Sequence, residues 1–161
     1  MASSWEDYDN DGDVDLYVAN DFGRNNLYRN DGGRFVDVAA MAGAEDISAG
    51  MSVSWADYNR DGMMDLYVSN MFSAAGNRVA FQRQFKTNTQ QTAREHFQRH
   101  ARGNTLFENA GDGTFRDQSA AAAVTMGRWA WSSNFVDINN DGWEDLFVAN
   151  GFMTGADNGD L

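Results

Sequence analysis

Three times this chain writes one acidic loop and then the same strand. Asp7-Tyr-Asp-Asn-Asp-Gly-Asp-Val-Asp15 runs into Leu16-Tyr-Val18, and Asp57-Tyr-Asn-Arg-Asp-Gly-Met-Met-Asp65 runs into Leu66-Tyr-Val68. Asp137-Ile-Asn-Asn-Asp-Gly-Trp-Glu-Asp145 runs into Leu146-Phe-Val148. Oxygen-bearing side chains recur at loop positions 1, 3, 5 and 9, with glycine at position 6. Internal repetition of this kind restricts the fold more than any composition does, because each copy must be one structural unit.

The first and second loops start 50 residues apart, the second and third 80. The excess predicts an insertion at about 73–103. Outside it the copies align. Ser4-Trp5-Glu6 matches Ser54-Trp55-Ala56 and Asn134-Phe135-Val136. Asn25 to Asn30 matches Asn104 to Asn109, and Gly33 to Asp37 matches Gly113 to Asp117. Each copy reads as four short strands, rich in aromatic and β-branched residues and bounded by turn residues. Leu16 and Val18 point one way, Tyr17 and Ala19 the other, and all four are apolar, which implies burial on both faces. Four-stranded units stacked face to face meet that need.

The expectation is an all-β chain: a partial β-propeller of about two and a half four-stranded blades with one helical insertion. It forms a single unit over 1–161, with repeats 1–50, 51–128 and 129–161. So few blades would leave apolar faces and sheet edges open. The chain is therefore expected to be a fragment of a longer propeller or to complete itself by association. The insertion reads as one helix or two, with Phe81 and Phe85 one turn apart and Val79 and Phe97 extending the stripe. It carries six of the twelve basic residues: Arg78, Arg83, Lys86, Arg94, Arg99 and Arg102. Such a segment suits a basic cap on an acidic body, or a docking arm.

Hard cations such as Ca²⁺ take six to eight oxygens. In the first loop Asp7, Asp9, Asp11 and Asp15 offer carboxylates and Asp13 a backbone carbonyl. The second offers Asp57, Asn59, Asp61, the Met63 carbonyl and Asp65. The third offers Asp137, Asn139, Asp141, the Trp143 carbonyl and Asp145. About three Ca²⁺ sites are expected, the first the tightest because it carries four charges against three. An EF-hand would need glutamate at position 12 and flanking helices. Val18, Val68 and Val148 stand there, inside strands. Metal-free Asx-rich turns are the competing account.

The formal net charge is −12, and the loops hold twelve of the 24 acids. A nucleic-acid partner is excluded, since phosphate binding needs the opposite sign. With no cysteine there is neither a disulfide nor a thiolate metal site. The N-terminal residues do not read as a signal peptide, and no stretch reads as a membrane span. His96 and His100 lie one helical turn apart but lack the His-Glu-x-x-His order, and a surface pair is expected. No nucleophile elbow or phosphate loop is present.

The loops, the Asn-x-Leu-Tyr/Phe-x-Asn strands and Gly-Thr-Phe-x-Asp together resemble the FG-GAP/VCBS repeat family, the integrin-α-like β-propellers, and its bacterial, cartilage-acidic-protein-like branch in particular. The resemblance covers the chain except the insertion. It departs in blade number and in lacking the Gly-Ala-Pro element, there being no proline. It implies a propeller, Ca²⁺ in the hairpin loops and a role in binding or adhesion that is extracellular, periplasmic or at the cell surface. The partner is expected to be a protein or glycan. Alternatives are a carbohydrate-active enzyme, for which Trp5, Trp55, Trp129, Trp131 and Trp143 would supply stacking surfaces, or a structural filament subunit. A non-enzymatic module is the preferred reading.

Overall fold

Each acidic loop reverses the chain, so the strands flanking it pair antiparallel. The computed structural model describes residues 1–86 and 90–150. Strands β1 (Ala2–Glu6), β2 (Asp15–Ala19), β3 (Asn26–Asp31) and β4 (Arg34–Asp37) form a first sheet in sequence order. Strands β5 (Gly50–Ala56), β6 (Asp65–Asn70), β7 (Thr105–Asn109) and β8 (Phe115–Asp117) form a second in the same order. A third sheet pairs β9 (Ala130–Val136) with β10 (Asp145–Asn150). Register repeats with the sequence: Trp5 lies opposite Leu16, Trp55 opposite Leu66 and Phe135 opposite Leu146.

The architecture is mixed rather than all-β, with three helices beside three separate sheets, and no ring is closed among the described residues. The short α1 (Ala39–Ala42) was not foreseen, because four residues carry no periodicity. The insertion resolves into two helices, α2 (Ala74–Ala80) and α3 (Gln91–Arg102). Ser73 caps the first through its hydroxyl, which accepts the Gly76 N–H at 3.0 Å. Phe85 and Phe97 meet edge-to-face at 5.6 Å, but not along one helical stripe as expected, because α2 ends at Ala80 and Phe85 lies in the turn beyond it. Phe81 lies beyond the end of α2 and is exposed. The part of the third repeat at 151–161 lies outside the described residues.

The second sheet is packed on both sides. Tyr17 of the first sheet meets Trp55 edge-to-face at 6.3 Å. On the opposite face, Ser54 donates to the Ser133 carbonyl at 2.7 Å and Tyr67 meets Phe135 at 6.0 Å. All six residues of β6 are therefore buried, whereas β2 alternates buried and half-buried. Tyr8, Tyr17, Leu27, Leu66, Val68, Phe107 and Phe115 form the apolar core, with Val53 and Trp55 against it. Fully burying a side chain of this size stabilises by about 1.5–3 kcal/mol. Among the described residues, no helix is long and apolar enough to cross a membrane.

Candidate metal centre

All three loops share one backbone frame. The carboxylate at position 1 accepts two backbone N–H groups, those of positions 5 and 6. Asp7 accepts Asp11 and Gly12 at 3.1 and 3.0 Å, and Asp57 accepts Asp61 and Gly62 at 3.0 and 2.9 Å. Asp137 accepts Asp141 and Gly142 at 3.1 and 2.8 Å. The carboxylate at position 5 then accepts the position-7 N–H: Asp11 from Asp13 at 2.8 Å, Asp61 from Met63 at 2.9 Å and Asp141 from Trp143 at 2.8 Å. The chain turns tightly because positions 4 and 6 are left-handed. Asn10, Arg60 and Asn140 have φ of 58°, 61° and 58°, and Gly12, Gly62 and Gly142 have 93°, 86° and 84°.

No atom lies within 4 Å of where a Cβ on Gly62 would stand. Gly62→Ala is therefore expected to cost about 1–2 kcal/mol, through backbone strain alone. Urea denaturation measures it, and a much larger loss would point to a steric role instead. Arg60 occupies the same left-handed region without a glycine's freedom. Its guanidinium lies 3.8 Å from the Trp143 ring centroid, a cation–π contact that helps hold it there.

The aspartate at position 9 clasps the loop to the sheet. Asp15 accepts the Tyr8 N–H at 3.1 Å and the Asn30 N–H at 2.8 Å. Asp65 accepts the Asn109 N–H at 2.7 Å, and Asp145 accepts the Ile138 N–H at 3.1 Å. Asp15 and Asp65 are completely buried. Burial pushes the Asp15 carboxyl up to about 6, against those hydrogen bonds, with the charges of Asp9 and Asp11 adding to the rise. Burial likewise pushes Asp65 up to about 7, reinforced by Asp61 and Asp57. A nearby divalent cation would favour the charged form and reverse both shifts.

Position 3 separates the loops. Asn59 accepts the Asp61 N–H through its carbonyl at 3.0 Å and donates its amide to the Asp61 carboxylate at 2.8 Å. Asn139 does the same to Asp141, at 2.8 and 3.0 Å. Asp9 has no amide to give. Its Oδ1 is buried without a hydrogen-bond partner, and burial together with the Asp11 charge raises its carboxyl above the usual range. Carboxylate oxygens of Asp7, Asp9 and Asp15 converge within 4.8 Å of one another. An orphaned oxygen in a convergent set of hard oxygens fits Ca²⁺. Asp11 stands outside this trio, and the Asp13 carboxylate accepts the Gly32 N–H at 2.9 Å. Among the described residues, the acids of the second and third loops do not converge in this way.

Position 9's role as a backbone clasp and position 1's closure of the loop on two N–H groups were missed from sequence, whereas the position-5 carboxylate, accepting from two residues on, makes the Asx turn that the competing account expects. Both duties use the oxygens that a ligand reading assigns wholly to metal. Residues 7–68 and 97–148, more than two thirds of the chain, match the family model of the FG-GAP-like repeat. No curated protein matches the chain significantly.

Proposed function

The chain belongs to the FG-GAP-like repeat family, and from that premise we propose that it is a calcium-stabilised binding module whose sheets stack as propeller blades. The observation that carries this reading is the first loop, where Asp7, Asp9 and Asp15 converge and one Asp9 oxygen lacks a partner. Asp7, Asp9 and Asp15 would hold the ion, and Ca²⁺ would supply charge neutralisation and loop rigidity rather than chemistry. The second and third loops would bind more weakly, because an asparagine amide already occupies the position-5 carboxylate. Stacked four-stranded sheets with their apolar sides together support the propeller reading.

Binding rather than catalysis is favoured because the acids are committed to loop frames and clasps. The His100 Nδ1 lies 3.0 Å from the Ile47 carbonyl, which ties that ring to the body of the protein. The module would act outside the cytosol, in adhesion or ligand binding. Extracellular Ca²⁺ modules bind with Kd on the order of 10⁻⁴–10⁻³ M, and such sites fill only where calcium is abundant.

Calorimetric titration of Ca²⁺ into the chelated protein tests the reading. Asp9→Asn gives the first loop the side-chain pattern of the other two. It is expected to weaken the tightest site about tenfold, roughly 1.4 kcal/mol. Absence of binding heat in the unsubstituted protein would defeat the calcium reading.

A further inference from the structure

We propose that the helical insertion docks an acidic protein segment, which sets a carboxylate against Arg78 and an apolar side chain into the hollow beside α2. This names a partner class for the binding module and rests on that half of the reading, not on calcium. The surface is an addition to the repeat, because residues 69–96 fall between the two stretches that match the family.

Charge in the insertion runs against the rest of the chain. Between 73 and 103 stand six cations and one acid, Glu95, in a protein of net charge −12. Arg99 pairs with Asp46 at 3.2 Å and Arg102 with Asp117 at 2.9 Å. Among the described residues, Arg78, Arg83, Lys86 and Arg94 pair with no acid. Arg94 donates to the Gln82 carbonyl at 3.3 Å, and Lys86 lies 3.9 Å from the Phe97 ring centroid. Arg78 and Arg83 are exposed. Their guanidinium groups are open to carboxylates from outside, which a planar fork of donors holds well.

Helical spacing puts the charged and apolar parts side by side. Ala74, Asn77 and Arg78 share one face of α2, and Phe81 follows Arg78 by three residues. With Phe72, the first three line a hollow of about 400 Å³. Phe72 and Ala74 give it an apolar wall, and the Asn77 amide offers a peptide backbone both a donor and an acceptor. Next to it Val79 and Phe81 are 43% and 60% exposed. The face is braced from behind. Gln98 donates to the Ala80 carbonyl at 3.2 Å, and the Phe72 N–H donates to the Arg128 carbonyl at 2.8 Å. A surface held in this way loses little freedom when a ligand seats on it.

A short acidic segment suits this face better than an extended polyanion. An anionic bilayer or a sulfated glycan would reach past the insertion to the acidic body, which repels both. Charges are screened beyond about 8 Å at physiological ionic strength, so a short segment senses mainly the local cations. Phe72, Val79 and Phe81 further favour a partner that carries apolar side chains among its acids.

Selection of random peptides displayed on phage against the full chain, with Ca²⁺ present, tests this. Enriched peptides are expected to carry Asp or Glu beside an apolar residue. Fluorescence anisotropy of one such labelled peptide then compares variants. Arg78→Glu reverses the charge, and Ala74→Leu fills the hollow without altering charge. Each is expected to weaken binding by more than about tenfold. Arg78 is exposed, so the fold survives its substitution, which circular dichroism checks. No enrichment, enriched peptides without acids, or binding that survives either substitution would overturn the proposal. Heparin and phosphatidylserine vesicles are the comparison probes, and either one binding through Arg78 while no peptide is enriched would overturn it too. Peptide binding without calcium heat defeats the calcium reading alone, and calcium heat without peptide binding defeats this proposal alone.

Discussion

Asp46→Ala is expected to destabilise the protein by about 3–5 kcal/mol, a large share of a typical domain's stability. Asp46 is completely buried, and its carboxylate holds four segments together. It accepts the Thr105 hydroxyl at 2.7 Å, the Asn70 amide at 3.1 Å and the Arg99 guanidinium Nε at 3.2 Å. It also accepts the N–H groups of Ile47 and Ser48, at 2.8 and 3.2 Å. Removing it takes the acceptor from the buried Thr105 hydroxyl and the buried Ser48 N–H, each at a cost of about 1–3 kcal/mol before relaxation, whereas the Asn70 amide keeps the Gly103 carbonyl. Arg99→Met should cost less, about 1–2 kcal/mol, because Asp46 keeps its other donors and the Arg99 side chain is partly exposed. Equilibrium urea unfolding compares the two. A loss below about 1 kcal/mol in Asp46→Ala would mean that water or a neighbour replaces the carboxylate.

The same network sets a pH dependence. Burial alone would raise the Asp46 carboxyl. Arg99 and the Thr105, Asn70 and Ser48 donors outweigh burial and hold it below the ordinary carboxylate value. Asp117 is also lowered: burial opposes, and the Ser119 hydroxyl and Arg102 prevail. Arg102 Nη2 lies 2.9 Å from Asp117. A folded-state pKa below the unfolded value of about 3.9 means that the folded protein binds fewer protons in that window. The contribution is present above about pH 4 and is lost as pH falls through the folded pKa. In Asp46→Ala the acid limb of the stability curve should therefore be shallower.

Much of this architecture can be read from spacing. The loop interval places the three hairpins, and its surplus places α2 and α3, because a repeat with fixed strand pairing tolerates extra residues only between strands. Trp55 and Tyr67 sit on opposite faces as alternation requires. What cannot be read is how one oxygen divides its duties. Position 1 looks like a ligand in all three loops, yet it also closes each turn on two N–H groups. The difference between Asp9 and Asn59 is a single amide hydrogen-bonded to Asp61, visible only once the loop is folded. Asp46 carries no local signal, because its partners Asn70, Arg99 and Thr105 lie 24, 53 and 59 residues away. Helix α3 contributes a basic cap as its charge suggests, and its anchors are the basic residues of its last turn, Arg99, His100 and Arg102.

Gly103→Ala is expected to cost about 3–5 kcal/mol, combining backbone strain and steric overlap. Gly103 ends α3 with φ of 104°, a conformation that L side chains rarely adopt. A Cβ there would lie 2.3 Å from the Thr125 carbonyl oxygen. That oxygen cannot retreat freely, because it accepts the Asn104 N–H at 2.9 Å. The Gly103 carbonyl is itself held by the Asn70 amide at 3.0 Å, in the same cluster as Asp46. A shift that relieved the clash would therefore pull on the carboxylate network and on the start of β7. Gly113→Ala is the matched control, with φ of 80° and nothing within 4 Å of its Cβ position. It should lose only about 1–2 kcal/mol. Urea unfolding of the two variants separates strain from overlap: equal losses would show that the Thr125 segment yields, and that the junction between insertion and sheet is softer than its contacts indicate.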